Sequence, residues 1–263
     1  MLVTEVLKHK EEYLEEIKKM QEMKCPLVLF GAGKTSEYNL HFFHKLGIYP
    51  VAFCDNAVDK QGKKVENLPI LPLKQVIQQY PTAYFYITTQ MYYTEILQQL
   101  LNAGCKEEQI SGYDIIFQLQ WEEKCMDYYK QHETQVEWLY ENLADEASRK
   151  VLENRLLFLR TRNRKHMTGV RRKHQYFEEE LVDFSKIGCY VDLGMYTGDT
   201  IMEFLKVTGG RDKTIYGFEP DTEIFQMAQN NLGHCSNITF VPFATSDYDG
   251  VAKVEQSLGV MQT

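Results

Sequence analysis

The sequence predicts an α/β protein made of two parallel-sheet units joined by a helical connector. Three observations carry this prediction. Short apolar runs alternate with helical patterns from about residue 24 to 115, a charged stretch over 116–180 has helical character and no strand signal, and the alternation restarts near Gly188 beside a glycine-rich turn. Strands that alternate with helices imply a parallel sheet.

The elements follow in chain order. Residues 1–23 are rich in Lys and Glu and carry Leu2, Val6, Leu14 and Ile17, which reads as an amphipathic helix rather than a signal peptide. After Pro26, Leu27-Val28-Leu29-Phe30 is a buried-strand run, Gly31-Ala32-Gly33-Lys34 a turn, and Ser36 to about Leu46 a helix. Val51 to Cys54 forms a second strand that ends at Asp55-Asn56. A polar loop from Asp59 to Asn67 then leads through Leu68-Pro69-Ile70-Leu71-Pro72 into a helix near Leu73 to Gln79. Tyr84 to Thr88 is a further strand, and a helix from Tyr93 to Ala103 is capped by Gly104. Residues 24–115 therefore read as one small Rossmann-like domain.

The connector carries a basic run: Arg155, Arg160, Arg162, Arg164, Lys165, Arg171, Arg172 and Lys173. Two readings stand, a solvated helix face or a patch that meets an anionic substrate such as a nucleotide sugar or phosphorylated lipid. The second unit, 181–263, reads as strand Cys189 to Leu193, helix Asp199 to Val207, strand Thr214 to Phe218, helix Asp221 to Leu232 and strand Ile238 to Val241. After Asp249-Gly250, an alternating segment from Val251 to Gln256 suggests one more strand.

Composition excludes some functions. With 263 residues, 44% hydrophobic, 25% charged and a formal charge of −8, the chain has no general affinity for nucleic acid. No run of 18 or more apolar residues occurs, so no membrane span is expected. Six cysteines lie scattered without a C-x-x-C pair, as expected of reduced thiols in a cytoplasmic protein without a metal site.

Two turns carry the chemistry. Gly31-Ala32-Gly33-Lys34-Thr35 is not a P-loop, because Val28 stands where that loop needs its first glycine. It is a partial dinucleotide fingerprint: Gly31 and Gly33 fit, Ser36 replaces the third glycine, and Asp55 stands where an acid takes ribose hydroxyls. Gly31, Gly33, Lys34 and Asp55 are thus candidate nucleotide-binding residues, unless the turn serves only to join strand to helix. In the second turn Asp192 ends a strand, Gly194 and Gly198 permit close approach, and Asp199-Thr200 cap a helix. Glu219 follows Gly198 by 21 residues, against about 20 for the acid that closes a βαβ unit. Asp192, Asp199 and Glu219 repel a diphosphate but suit a ribose-bearing ligand with an amino or sulfonium cation. S-adenosylmethionine is such a ligand.

Val191-Asp192-Leu193-Gly194-Met195-Tyr196-Thr197-Gly198-Asp199-Thr200 with Gly217-Phe218-Glu219-Pro220-Asp221 resembles the opening of the FkbM-type S-adenosylmethionine-dependent methyltransferase domain. Leu143-Ala144-Asp145-Glu146-Ala147-Ser148-Arg149-Lys150 and Gln175-Tyr176-Phe177 are similar to the helical lead-in of members that also carry an amino-terminal Rossmann-like domain. The resemblance implies that Gly194, Tyr196 and Gly198 line the methionine part of the cofactor, that Glu219 binds its ribose with Asp221 nearby, and that Phe243 and Ala244 contact adenine. It implies O-methylation of a sugar, a polyketide-like molecule or another small acceptor, and a class I methyltransferase-like sheet.

The family's next strand carries an Asp-x-Glu-Gly-type motif that this chain lacks, and only 75 residues follow Gly188, against more than about 100 for a doubly wound domain. The expectation is therefore an incomplete sheet without the acceptor half, and no catalytic residue is assigned. Cys189, Val191 and Leu193 should then face an uncovered apolar surface or edge, which a second copy could cover. The competing expectation is a non-enzymatic nucleotide- or nucleotide-sugar-binding module with a regulatory or interaction role. NAD-dependent redox chemistry in the first domain ranks last.

Overall fold

The computed structural model describes residues 1–89, 92–116, 123–170, 176–178, 181–210, 213–248, 250, 255–257 and 260–262. The chain divides into two compact units, Met1–Arg171 and Arg172–Thr263.

The first unit begins with two helices where periodicity predicts one, α1 (Leu2–Leu7) and α2 (Glu12–Glu22). Their apolar stripes serve different partners. Val3 and Val6 pack with Val136 and Leu156, whereas Met20 joins the cluster around Leu27, Phe43 and Tyr84. Arg160 holds the break, donating to the His9 carbonyl at 2.9 Å and to Glu11 at 2.6 Å.

The sheet is built from β1 (Leu27–Phe30), β2 (Ala52–Cys54), β3 (Lys64–Val65), β4 (Leu68–Leu71) and β5 (Tyr84–Ile87). Between them lie α3 (Ser36–Lys45), α4 (Leu73–Gln79) and α5 (Tyr93–Asn102). The strand order is β3-β4-β2-β1-β5, parallel except for the β3–β4 hairpin. That hairpin replaces the long loop expected from Asp59 onward. Pro69 hides the strand in the sequence, but the β2 ladder begins one residue later, with Phe53 opposite Ile70, so the missing N–H breaks no bond there. Alternate residues feed two cores, Leu29, Phe53 and Tyr86 on one face and Val28, Ala52, Cys54 and Phe85 on the other. Burial on both faces is what makes these strands continuous apolar runs.

Helices α6 (Glu123–Gln131), α7 (Glu133–Asn142), α8 (Glu146–Thr161) and α9 (Lys165–Thr168) complete the unit. Asp145 caps α8 by accepting the Ser148 N–H at 2.7 Å. Two members of the basic run lie in the interior, while Arg155 and Lys165 are exposed. Arg162 and Arg164 are buried. Arg164 donates to the Ile87 carbonyl at 3.0 Å, lies 3.5 Å from Asp114 and covers the Tyr93 ring at 4.4 Å. These arginines are internal ties, and desolvation explains why they need carboxylate, carbonyl and aromatic partners. Arg171, Arg172, Lys173 and Gln175 lie outside the described residues.

In the second unit β6 (Cys189–Leu193), α10 (Asp199–Thr208), β7 (Thr214–Phe218), α11 (Thr222–Leu232) and β8 (Ile238–Val241) form a three-stranded parallel sheet, order β6-β7-β8, with its two helices. A hairpin of β9 (Glu255–Ser257) and β10 (Val260–Gln262) follows. Of the strand expected over Val251 to Gln256, residues 251–254 lie outside the described set and Glu255-Gln256 open β9. One sheet face is covered through Ile201, Phe204, Ile215, Ala228 and Leu232. On the other face Val191 is 48% and Leu193 62% exposed, with Cys189 and Tyr216 exposed beside them. No helix among the described residues is long and apolar enough to cross a membrane.

Candidate functional site

The β6–α10 turn of the second unit is held from below. Both Gly194 and Met195 donate their N–H to the Phe218 carbonyl, at 3.0 and 2.8 Å. Met195 is buried and packs where a Cβ on Gly217 would stand, 2.4 Å from its sulfur. Tyr196 follows with φ +50°, a left-handed conformation that a non-glycine residue adopts only under constraint. The constraint is Glu219. This carboxylate, 4% exposed, accepts the Tyr196 N–H at 3.1 Å and the Asp221 N–H at 3.0 Å. The expected ribose acid thus already orders the loop, and the lone pairs left on its two oxygens are what a ligand can use.

The glycines separate by role. Gly194 has φ +88° and open space where a Cβ would project. Gly198 has φ +85°, and a Cβ there would meet Leu232 Cδ1 at 2.3 Å, so its smallness lets the turn pack on α11. Gly198, not Asp199, is the N-cap of α10, and no side chain caps that end. The expected Asp199-Thr200 cap is corrected accordingly. The left-handed glycine makes Asp199 the first helical residue, where its charge complements the helix dipole. Asp221 does cap α11, accepting the Glu223 and Ile224 N–H groups at 3.0 Å each.

Asp192 is the unusual member. Its Oδ2 is buried and, among the described residues, has no hydrogen-bond partner. Burial, reinforced by the Asp199 charge, pushes its carboxyl above the ordinary value. A buried acceptor left open costs about 1–3 kcal/mol, which a cationic or N–H-bearing ligand would recover. Tyr196 is exposed, Phe243 is 68% exposed and Ala244 is exposed, so all three are available to a ligand.

The first unit has a cavity of about 730 Å³, lined in part by Gly31, Gly33, Asp55, Lys60, Thr88 and Tyr92. Asp55 accepts the Ala32 N–H at 2.7 Å and the Ala57 N–H at 2.8 Å, with the Lys60 ammonium at 3.3 Å. Burial opposes its ionisation, but these donors outweigh it and hold the carboxyl below the ordinary value. The residue expected to take ribose hydroxyls also fastens the glycine turn. Gly31, at φ +118°, sits against Thr88 Oγ1, whereas Gly33 has nothing within 4 Å of a projected Cβ. Lys34, exposed on the same turn, is not among the described lining residues.

The chain is similar in structure to methyltransferase FkbM from Methylobacillus flagellatus KT, with a TM-score of 0.57 and 18% identity over 92% of this chain and 70% of that one. The fold is methyltransferase-like. Residues 23–111 match the family described as C2185-like, N-terminal. No curated protein matches the chain.

Sequence reasoning missed Met195, the buried anchor of the second turn, and Lys60, Thr88 and Tyr92 of the first cavity. Met195 reads as one apolar residue within a loop. Lys60 lies on the loop after β2 and Thr88 and Tyr92 on the loop after β5, and only the strand order brings them together. Among the described residues no group of His, Cys, Asp and Glu is placed to hold a metal ion.

Proposed function

We propose that the second unit binds S-adenosylmethionine at the β6–α10 turn and that the protein is an FkbM-like methyltransferase. Its acceptor would be a small molecule, methylated on oxygen, of the sugar or polyketide-like kind. The observation that carries this reading is the buried, unpartnered Asp192 Oδ2 at the carboxyl end of β6, two residues from the open backbone of Gly194. A carboxylate destabilised by burial and by Asp199 favours a positive group, and an open glycine lets a ligand approach the backbone. The methyltransferase-like fold supports the reading.

The cofactor would supply an electrophilic methyl group on a sulfonium sulfur. The chain's own residues would bind and orient. Asp192 would hold the amino group, Gly194 and Tyr196 would line the methionine part, and Glu219 would fix the loop and face the ribose. Phe243 and Ala244 would lie against adenine. Rate acceleration would then rest on proximity and in-line orientation of the acceptor, with no general base assigned. We place this work in the cytoplasm, where the exposed thiol of Cys189 would stay reduced.

Isothermal titration of the chain with S-adenosylmethionine tests the proposal. Measurable heat that Asp192→Asn and Glu219→Gln both weaken about 10-fold or more is the expected result. Absence of heat from the wild-type chain, or unchanged affinity in both variants, overturns it.

A further inference from the structure

We propose that the 730 Å³ cavity of the first unit is a second ligand site, one that takes a nucleoside phosphate. Its position follows from the sheet. β1 lies between β2 and β5, so the chain leaves β1 toward one side and later returns on the other. The loops after β1 and β5 consequently diverge, and a crevice opens at the carboxyl ends of the strands, where open α/β sheets hold their ligands. The cavity lies there, walled by Gly31 and Gly33 after β1, by Asp55, Asn56 and Ala57 after β2, and by Thr88, Thr89 and Tyr92 after β5. Its volume falls within the roughly 300–1,000 Å³ of small-molecule sites.

The lining specifies the chemistry. Among the described residues, the backbone N–H groups of Gly33, Lys34 and Thr35 have no acceptor, and Gly33 and Thr35 line the cavity. Lys60 adds an ammonium, held in place by Asp55 at 3.3 Å. Free amides of a glycine turn at a helix N-terminus, with a cation in the same lining, suit a phosphate group. Across the cavity Tyr92 is 57% exposed, offering a ring face on which a base can stack. Asn56 and Gln99, both lining the cavity, pair through reciprocal amide bonds of 2.8 and 2.9 Å. That pairing ties the β2 loop to α5 and gives the wall a fixed polar surface. The charges limit the ligand further. Asp55 and Glu95 set two carboxylates in the lining against the one Lys60 ammonium, which disfavours a triphosphate relative to a mono- or diphosphate.

This site is independent of the methyltransferase reading, since every residue it uses belongs to the first unit. The test is titration of the full chain with UMP, UDP, UTP, AMP, ADP and inorganic phosphate. Gly33→Val places a side chain where nothing stands within 4 Å, so the fold should tolerate it while the cavity fills. Expected are binding of a mono- or diphosphate, weaker binding of the triphosphate, and at least about a 10-fold loss in Gly33→Val and in Tyr92→Ala. Lys60→Ala should weaken UDP and ADP more than UMP and AMP. Asp192→Asn should leave all of these affinities unchanged. No binding of any nucleotide at millimolar concentration overturns the proposal, as does equal affinity in Gly33→Val, or binding of inorganic phosphate as tight as that of the nucleotides.

Discussion

Both units contain the same local device, a parallel strand that enters a glycine turn and then a helix, yet the two turns sit in different surroundings. In the first unit the turn-bearing strand β1 has neighbours on both sides, β2 and β5, and a walled cavity lies at its carboxyl end. In the second unit the turn-bearing strand β6 has a described neighbour, β7, on one side, and Leu193, Tyr196 and Phe243 stand exposed. The fuller sequence motif thus lies on the more open site, and the partial one beside a walled crevice. A motif specifies a turn, whereas strand order decides whether the turn becomes one wall of a cavity.

Mutations should separate the units. The largest expected effect is Phe53→Ala, which empties a fully buried position of the first sheet and should cost about 3–5 kcal/mol, read by urea denaturation. Slightly smaller, Gly198→Val should cost about 3 kcal/mol in the second unit, because it combines a left-handed φ of +85° with a collision against Leu232. Hydrogen exchange in peptides from β6 to β8 would report that loss, with β1 and β2 unaffected. Equal destabilisation of both units would break the comparison. Gly194→Ala, at φ +88° but in open space, should cost only about 1 kcal/mol, and the contrast with Gly198 would show that the two glycines serve different ends.

The carboxylates predict opposite responses to pH. Asp55 is held below its ordinary value of 3.8, so the stability it contributes is present above that value and is lost as pH falls through its lowered folded value. Asp192 is raised above 3.8. The folded second unit therefore binds the proton more tightly than the unfolded chain does, and its stability falls as pH rises from 3.8 through the raised value. Asp192→Asn should remove that slope and, by removing a buried charge that Asp199 repels, stabilise the second unit at neutral pH. Asp55→Asn should destabilise the first unit. Chemical denaturation followed by hydrogen exchange from about pH 2 to pH 7 checks both signs.

Much of the architecture was legible because local rules and tertiary packing agreed. β6, β7 and β8 occupy the residues that apolar runs bounded by glycine, asparagine and proline mark out. What escaped depended on distant partners. The break between α1 and α2 exists because their stripes face different cores, and Pro69 concealed β4 because ladder position is invisible in sequence. Arg162 and Arg164 read as surface charge, since no local signal announces that Asp114, Tyr86 and Tyr93 will surround them. At the site, sequence marked Asp192 and Glu219 as carboxylates near a turn. That one would be tied to two backbone N–H groups and the other left open was set by the folded geometry.

The central claim concerns the second turn, and hydrogen exchange with and without S-adenosylmethionine addresses it most directly. The account predicts slowed exchange for amides of residues 192–200, no change for residues 31–36, and loss of the effect in Asp192→Asn. Unchanged exchange over 192–200 at saturating cofactor, or protection confined to 31–36, would contradict it.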